Sequence, residues 1–389
     1  MSHKVYCLRL LISIVIIMPL VVAINRIVDP FWYFQDIEIE GFNKVKTKVQ
    51  EFERYVKPKI LQRRKVDAII LGSSYSEIGL NPQNIDFSKQ GEFNGYNFAF
   101  AGGGWDRTFC YFKYAIQHAP IKRIVLGMHP QNPHPIVDCS QVLPEIQGFS
   151  QLKLLFSLEA LKASISTVRK QGDRESSHTR DGLFFYDRGK SGAEKRFHEV
   201  FKTELYSNKR CNLKALEGRV KVQQLEYSLA RENRGWDISG LQYLMQLAIK
   251  QQIDLNIFAY PQHALSMELG VLCKNYQNIW LGLAAMAFLP ETQSEQVKLW
   301  SFYSYNTFTA ESIVDNEPVF WQDPKHFNFE FGDKMLGVMF NSKPQSIVFG
   351  YRLHENNINS MYADFKRQRK KYLLQNPTLL GELKQFVEQ

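Results

Sequence analysis

Two places in the chain bring together residue types that can do covalent chemistry. The apolar run Val66-Asp67-Ala68-Ile69-Ile70-Leu71 ends in Gly72-Ser73-Ser74, and much later Asp323-Pro324-Lys325-His326 opens a loop before a helical pattern. A serine hydroxyl near its free pKa is a poor nucleophile, and a positioned imidazole must take its proton during attack. A carboxylate three residues before a histidine in a turn can accept from one ring nitrogen while the other faces a cleft. The blander alternatives are that Ser73 and Ser74 cap the following helix, with Glu77 completing a capping box, and that His326 is a solvated loop residue.

These residues need elements to hold them. Val66 to Leu71, Tyr96 to Phe100, Ile121 to Met128 and Asp254 to Tyr260 read as short buried strands. Helical stretches such as Arg107–His118 and Leu241–Gln251 separate them, and a helix over about 330–340 follows His326. That alternation predicts an α/β fold, a three-layer α/β/α sandwich on a mainly parallel sheet. Ligands of such sheets bind beyond the carboxyl ends of the strands, where Ser74, Gly102 and the loop from Met128 to Asn132 would converge. From about 133 to 240 the repeat is interrupted by a helical insertion, with a helix over Gln151–Lys170 and another over Arg196–Arg231, expected to cap that edge.

The N-terminus supplies the compartment. Val5 to Ile24 is almost wholly apolar and matches the ~20 residues a bilayer-spanning helix requires. Lys4 and Arg9 precede its core, which keeps the N-terminus cytoplasmic and exports the rest to the periplasm or cell surface. A cleaved signal peptide is the competing reading, with Val21-Val22-Ala23 as a poor cleavage site; the length of the run favours an uncleaved anchor. Residues 1–25 are therefore the anchor and 26–65 a juxtamembrane basic helix, its amphipathic pattern starting at Phe42. The main domain is 66–345, and 346–389 is a basic helical extension.

Composition narrows the partners. With 389 residues and 44% of them hydrophobic the chain buries a large core, and its net charge of +9 suits an anionic partner or surface. Nucleic acid is not expected, because the basic runs lack interleaved aromatics and the domain is exported. The five cysteines form no CxxC pair; outside the anchor, Cys110, Cys139, Cys211 and Cys273 can pair in an oxidising compartment. His129, His134 and His263 sit at strand ends without a carboxylate at ligand spacing, so no metal is expected. No cofactor is expected either, since Gly102-Gly103-Gly104 lacks the dinucleotide spacing. Trp105 beside it is either core or a surface on which a sugar ring stacks.

Gly72-Ser73-Ser74, Asn97 with Gly102 five residues on, and Asp323-Pro324-Lys325-His326-Phe327 together resemble the SGNH (GDSL-like) hydrolase superfamily. They resemble most its membrane-associated branch, which includes the alginate O-acetyltransferase-like proteins that act on envelope polysaccharides. The resemblance runs over roughly Val66 to Phe340 and leaves the insertion unmatched. It implies Ser74 as nucleophile, His326 as base and Asp323 as the group orienting the imidazole. It also implies an oxyanion hole from the amides of Ser74 and Gly102 and a side-chain amide of the third-strand loop, for which Asn132 is the nearest asparagine. Ser73 stands where the commonest family signature has aspartate, and the usual Gly-x-Asn-Asp block is absent. The activity so implied is a serine esterase or O-acyltransferase, most simply O-acetyl, on a cell-surface or exported polysaccharide, with a membrane-bound acyl-donor protein as a possible partner. The alternative is a non-catalytic assembly or glycan-binding component of an envelope polysaccharide machine.

Overall fold

The computed structural model describes residues 3–142, 151–172, 176–185, 192–207, 237–272, 276–313, 318–340 and 349–377. Its helices in chain order are α1 (His3–Val28), α2 (Glu53–Arg63), α3 (Ser74–Gly79), α4 (Trp105–His118), α5 (Gln151–Phe156) and α6 (Leu158–Arg169). They continue as α7 (Ala193–Ser207), α8 (Ser239–Lys250), α9 (Ala264–Leu272), α10 (Tyr276–Ala287), α11 (Phe329–Phe340) and α12 (Ile358–Gln375). The strands are β1 (Ala68–Leu71), β2 (Gly95–Asn97), β3 (Arg123–Met128), β4 (Asp254–Ala259), β5 (Val297–Ser301) and β6 (Tyr351–Leu353). Two compact units form: residues 1–65 with 138–185, and residues 66–137 with 186–389. The first division falls between residues 65 and 66, and residues 133–240 are shared between the units.

In the larger unit the six strands form one sheet in the order β2-β1-β3-β4-β5-β6. β1 to β5 run parallel and β6 is antiparallel to β5. All four residues of β1 are buried, as expected of strands whose apolar runs leave no polar face. β5 and β6 complete the sheet beyond the four strands legible in the sequence. β5 alternates buried with partly exposed residues, and β6 has only three residues. Neither presents the continuous apolar run that marks a central strand.

The order reverses between β1 and β3: from β1 the chain moves out to β2, then crosses back to the other side. Such a switch point opens a crevice at the carboxyl ends of its two strands. At the opposite ends of β3, β4 and β5, Asp254 accepts from Arg123 Nε at 3.0 Å and from Lys298 Nζ at 2.6 Å, so charge closes that edge. A single apolar cluster includes Ile70, Val125, Phe258, Phe302, Trp321, Phe327 and Phe331. α7 adds Phe197 and Phe201 to it, so this part of the insertion is built into the larger unit. The remainder of the helix expected over Arg196–Arg231 lies outside the described residues from 208 on.

Local pattern and structure part in three helical regions. The basic helix expected over 42–65 begins only at Glu53, after a short 3-10 turn at Val49–Glu51. The reason is that side chains before it cap distant carbonyls. Asn43 Nδ2 donates to Ile27 O at 2.6 Å, and the fully buried Lys46 Nζ donates to Val28 O at 2.7 Å. Lys57 is likewise buried, 3.7 Å from Glu53, so two of the expected surface lysines are interior. The helix expected over Gln151–Lys170 is broken at Ser157, whose Oγ accepts from Ala160 N at 3.0 Å and starts α6. In α12, Arg369 pairs bidentately with buried Glu268 at 2.8 and 2.9 Å, which removes it from the basic face; residues past 377 of that extension lie outside the described residues. α1 spans 26 residues and is long and apolar enough to cross a membrane.

Candidate active site

Gly72 sets the geometry of the turn after β1. Its φ of 138° is a conformation that favours glycine, and a Cβ there would lie 2.2 Å from Tyr260 Oη and 2.5 Å from Ser76 Oγ. Ser73 is extended (φ −95°, ψ −165°), and α3 begins at Ser74. Ser73 occupies the cap position but its side chain makes no cap bond. The Ser73 amide donates instead to Tyr260 Oη at 2.9 Å, and Ser76 Oγ lies 3.0 Å from the same oxygen. One buried phenol at the end of β4 thus binds both sides of the Ser74 turn. Burial raises the Tyr260 pKa, so the hydroxyl stays protonated.

Ser74 Oγ lies 2.9 Å from His326 Nε2. His326 Nδ1 faces both oxygens of Asp323, at 2.8 and 3.1 Å. Asp323 Oδ1 also accepts the backbone amides of Lys325 and His326, each at 2.9 Å. Burial by itself would raise the Asp323 pKa; the His326 ring and those two amides outweigh it and hold the carboxyl below its ordinary range. Asp323 therefore stays ionised, its Nδ1 partner carries the proton, and Nε2 is left to accept from the serine. The capping box considered for Ser74 and Glu77 gives way to this bond.

Several contacts hold the two halves of this arrangement together. Gly332 in α11 approaches α3 so closely that a Cβ would meet the Gly79 carbonyl at 1.6 Å. The helix that carries Ser74 and the helix that follows His326 are therefore in backbone contact. Asn97, at the end of β2, donates through Nδ2 to the carbonyls of Ser76 (2.9 Å) and Leu80 (2.8 Å), which closes the C-terminal end of α3. Arg196 of α7 donates through Nε to the Gln322 carbonyl at 2.7 Å and steadies the loop ahead of Asp323. Tyr75 packs between the rings of Tyr260 (centroids 4.6 Å), His129 (4.9 Å) and His326 (4.9 Å).

The expected oxyanion donors divide. The glycine turn lies against the Ser74 turn: Gly102 has φ 65°, Gly103 N donates to Phe100 O at 3.0 Å, and Phe100 N reaches Gly72 O at 3.3 Å. Asn132 is exposed, and its amide closes a turn onto the His129 carbonyl at 3.1 Å. Its side chain makes no hydrogen bond to Ser74, His326 or the glycine turn among the described residues.

The other histidines have distinct surroundings. Burial, reinforced by Lys325 and His326, pushes His129 down to about 4, so a neutral ring stands beside Tyr75. Burial lowers His134 to about 4, and Trp105 meets its ring edge-on at 4.7 Å while donating Nε1–H to Pro135 O at 2.7 Å. His263 uses both nitrogens on backbone, with Nε2 against Glu311 O at 2.8 Å and Nδ1 accepting from Leu265 N at 3.2 Å.

Tyr260, Arg196 and the Gly79–Gly332 approach were not anticipated from the sequence. The end of β4 could be placed on the active edge, but the direction of a phenol depends on the packed sheet. No model of a known protein family matches the chain, and no curated protein matches it.

Proposed function

We propose that this protein is a membrane-anchored serine esterase or O-acyltransferase with an SGNH-like three-layer α/β/α domain, acting on acyl esters of a cell-surface or exported polysaccharide. The observation that carries the reading is the run Ser74 Oγ to His326 Nε2 at 2.9 Å and His326 Nδ1 to Asp323 at 2.8 Å. Both lie within hydrogen-bond reach before any substrate is present. They sit at the carboxyl end of β1, beside the switch point where ligands bind.

In this mechanism Ser74 Oγ attacks the ester carbonyl while its proton passes to His326 Nε2. The carbonyl oxygen becomes an oxyanion, and a backbone donor fixed there contributes about 2.7 to 4 kcal/mol. The Gly102 turn is joined to Gly72 through the Phe100 N to Gly72 O bond at 3.3 Å. Collapse breaks the bond to the leaving alcohol, which takes the proton from His326 and departs, leaving acyl-Ser74. A sugar hydroxyl or a water molecule then attacks the acyl carbon and gives its proton to His326; the bond from the acyl carbon to Oγ breaks, and His326 returns that proton to Ser74. Transfer and hydrolysis share this intermediate and differ in how well water is kept out.

Other features support the setting. Cys110 and Cys139 are each disulfide-bonded, which suits an oxidising compartment. Lys4 and Arg9 at the start of α1 support a cytoplasmic N-terminus. The glycan substrate rests on the motif resemblance. A purely assembling or glycan-binding role would leave the Ser74–His326 distance unconstrained, so the observed contact favours catalysis. Hydrolysis of p-nitrophenyl acetate by the detergent-solubilised protein tests the reading: turnover lost in both Ser74→Ala and His326→Ala supports it. Turnover equal in wild type and both variants contradicts it.

A further inference from the structure

The smaller unit exposes an apolar surface beside α1. α5 and α6 both pack on α1, and their outer faces leave Leu158 70% exposed, Leu152 61%, Phe156 44% and Ile165 44%. Lys153 and Lys162 lie among these residues in sequence. Leu152 and Phe156 are four residues apart on α5 and Leu158 and Ile165 seven apart on α6, so each helix turns one apolar face outward, and exposed apolar faces mark interaction sites.

The level of this surface along α1 is fixed by Asn25. Its Nδ2 donates to the carbonyls of Leu155 (2.9 Å) and Ser157 (3.4 Å), and its Oδ1 accepts from Ser164 Oγ at 3.0 Å. One side chain thus ties the α5–α6 elbow to the end of α1. Counted at 1.5 Å per residue, Val5 to Ile24 covers about 30 Å, the thickness of a bilayer's hydrocarbon core. Asn25 then stands at the boundary of that core. Val21, one turn further in, is also buried on α1, so the packing continues about 6 Å below the boundary. Helices that lie in a membrane interface sink about 5 to 10 Å. Asn25 has hydrogen-bond partners for both its amide nitrogen and its oxygen, and the two elbow carbonyls it engages are likewise provided for, as a non-aqueous boundary demands.

We propose that the α5–α6 elbow dips into the bilayer interface next to α1, with Leu152, Phe156, Leu158 and Ile165 among the acyl chains and Lys153 and Lys162 reaching back to anionic headgroups. The occupant is lipid, argued from continuity with the span, and the proposal rests on the reading of α1 as a membrane anchor. The smaller unit then touches the membrane at two places rather than one, which restricts its rotation about α1.

The test reconstitutes the full chain in phosphatidylethanolamine/phosphatidylglycerol vesicles, with a fluorescent amino acid introduced genetically at Leu158, Ile14 or Lys44. Acyl chains brominated at shallow or deep positions serve as quenchers. At Leu158 we expect loss of emission with shallow bromines; at Ile14, loss with deep bromines; at exposed Lys44, neither. If Leu158 is unquenched by lipid while Ile14 is quenched, the elbow is dry or covered by protein, and the proposal fails while the anchor stands. If Ile14 is unquenched as well, the anchor and the proposal fail together.

Discussion

Asp29 and Asp323 are built the same way in two separate units. Each is a buried carboxylate that collects backbone amides from the residues just after it: Tyr33, Phe34 and Gln35 at 2.7 to 2.9 Å for Asp29, and Lys325 and His326 at 2.9 Å for Asp323. Their proton affinities move in opposite directions. Burial dominates at Asp29 and raises its pKa, although the three backbone amides and the charge of Lys46 work the other way. At Asp323 burial is outweighed by the imidazole of His326, and the pKa falls. Collecting backbone amides is only a scaffold. What makes one copy chemical is a ring in contact with the carboxylate and, on the ring's far side, a serine.

The contrast predicts that removing one charge will be catastrophic for turnover and removing the other will not. Asp323→Asn should lower kcat by about 10⁴-fold, as loss of the orienting carboxylate does in a serine triad. Asp29→Asn should leave ester turnover per folded molecule unchanged, and steady-state kinetics on matched amounts of folded protein compares the two. An equal loss in both variants would mean that Asp323 is structural like Asp29.

Tyr260→Phe sharpens the same comparison by leaving the triad charges intact. It strands the Ser73 amide in a buried site, at a cost of about 1 to 3 kcal/mol, and frees the nucleophile turn. We expect a lower melting temperature and a kcat reduced far less than in Asp323→Asn, with KM little changed. A kcat identical to wild type would show that the phenol holds the fold but does not position the nucleophile.

Acid should separate the two carboxylates by sign. Asp323 has a depressed folded pKa, so its stabilising contribution is present above the unfolded value of 3.8 and is lost as pH falls through the lower folded value. Asp29 has a raised folded pKa, so its contribution is fully present below 3.8 and is lost as pH rises through the higher folded value. The melting-temperature deficit of Asp323→Asn should therefore shrink on acidification, and that of Asp29→Asn should grow. His129, His134 and His263 add a common background: with folded pKa values of about 4 against 6.5 unfolded, they favour folding above pH 6.5, and that contribution declines as pH falls towards 4 in wild type and both carboxylate variants.

Much of the site was legible because its chemistry is local. Asp323 and His326 are close in sequence, and Gly72-Ser73-Ser74 follows an apolar run that has no other use than as a buried strand. The parallel sheet then brings the two together, and β1 to β4 were readable for the same reason. β5 was not, since Lys298 and Trp300 alternate with its buried residues, and Arg352 in three-residue β6 gives no pattern at all. Asn132 is the asparagine nearest in sequence to the third strand, whereas the structure spends that turn's amide on His129 and makes no bond from the side chain to Ser74 or His326 among the described residues. The helix expected from Phe42 was overruled by Asn43 and Lys46, whose partners are carbonyls near the end of α1. Long-range side-chain to backbone bonds of that kind leave no trace in periodicity.

The most direct test of the central claim is covalent. A fluorophosphonate probe reacts with a serine only where a base removes its proton and donors hold the developing oxyanion. Folded protein exposed to the probe should carry one adduct, mapped by peptide mass spectrometry to Ser74, and Ser74→Ala should carry none. Absence of labelling in the folded wild type, or an adduct that persists in Ser74→Ala, would contradict the account.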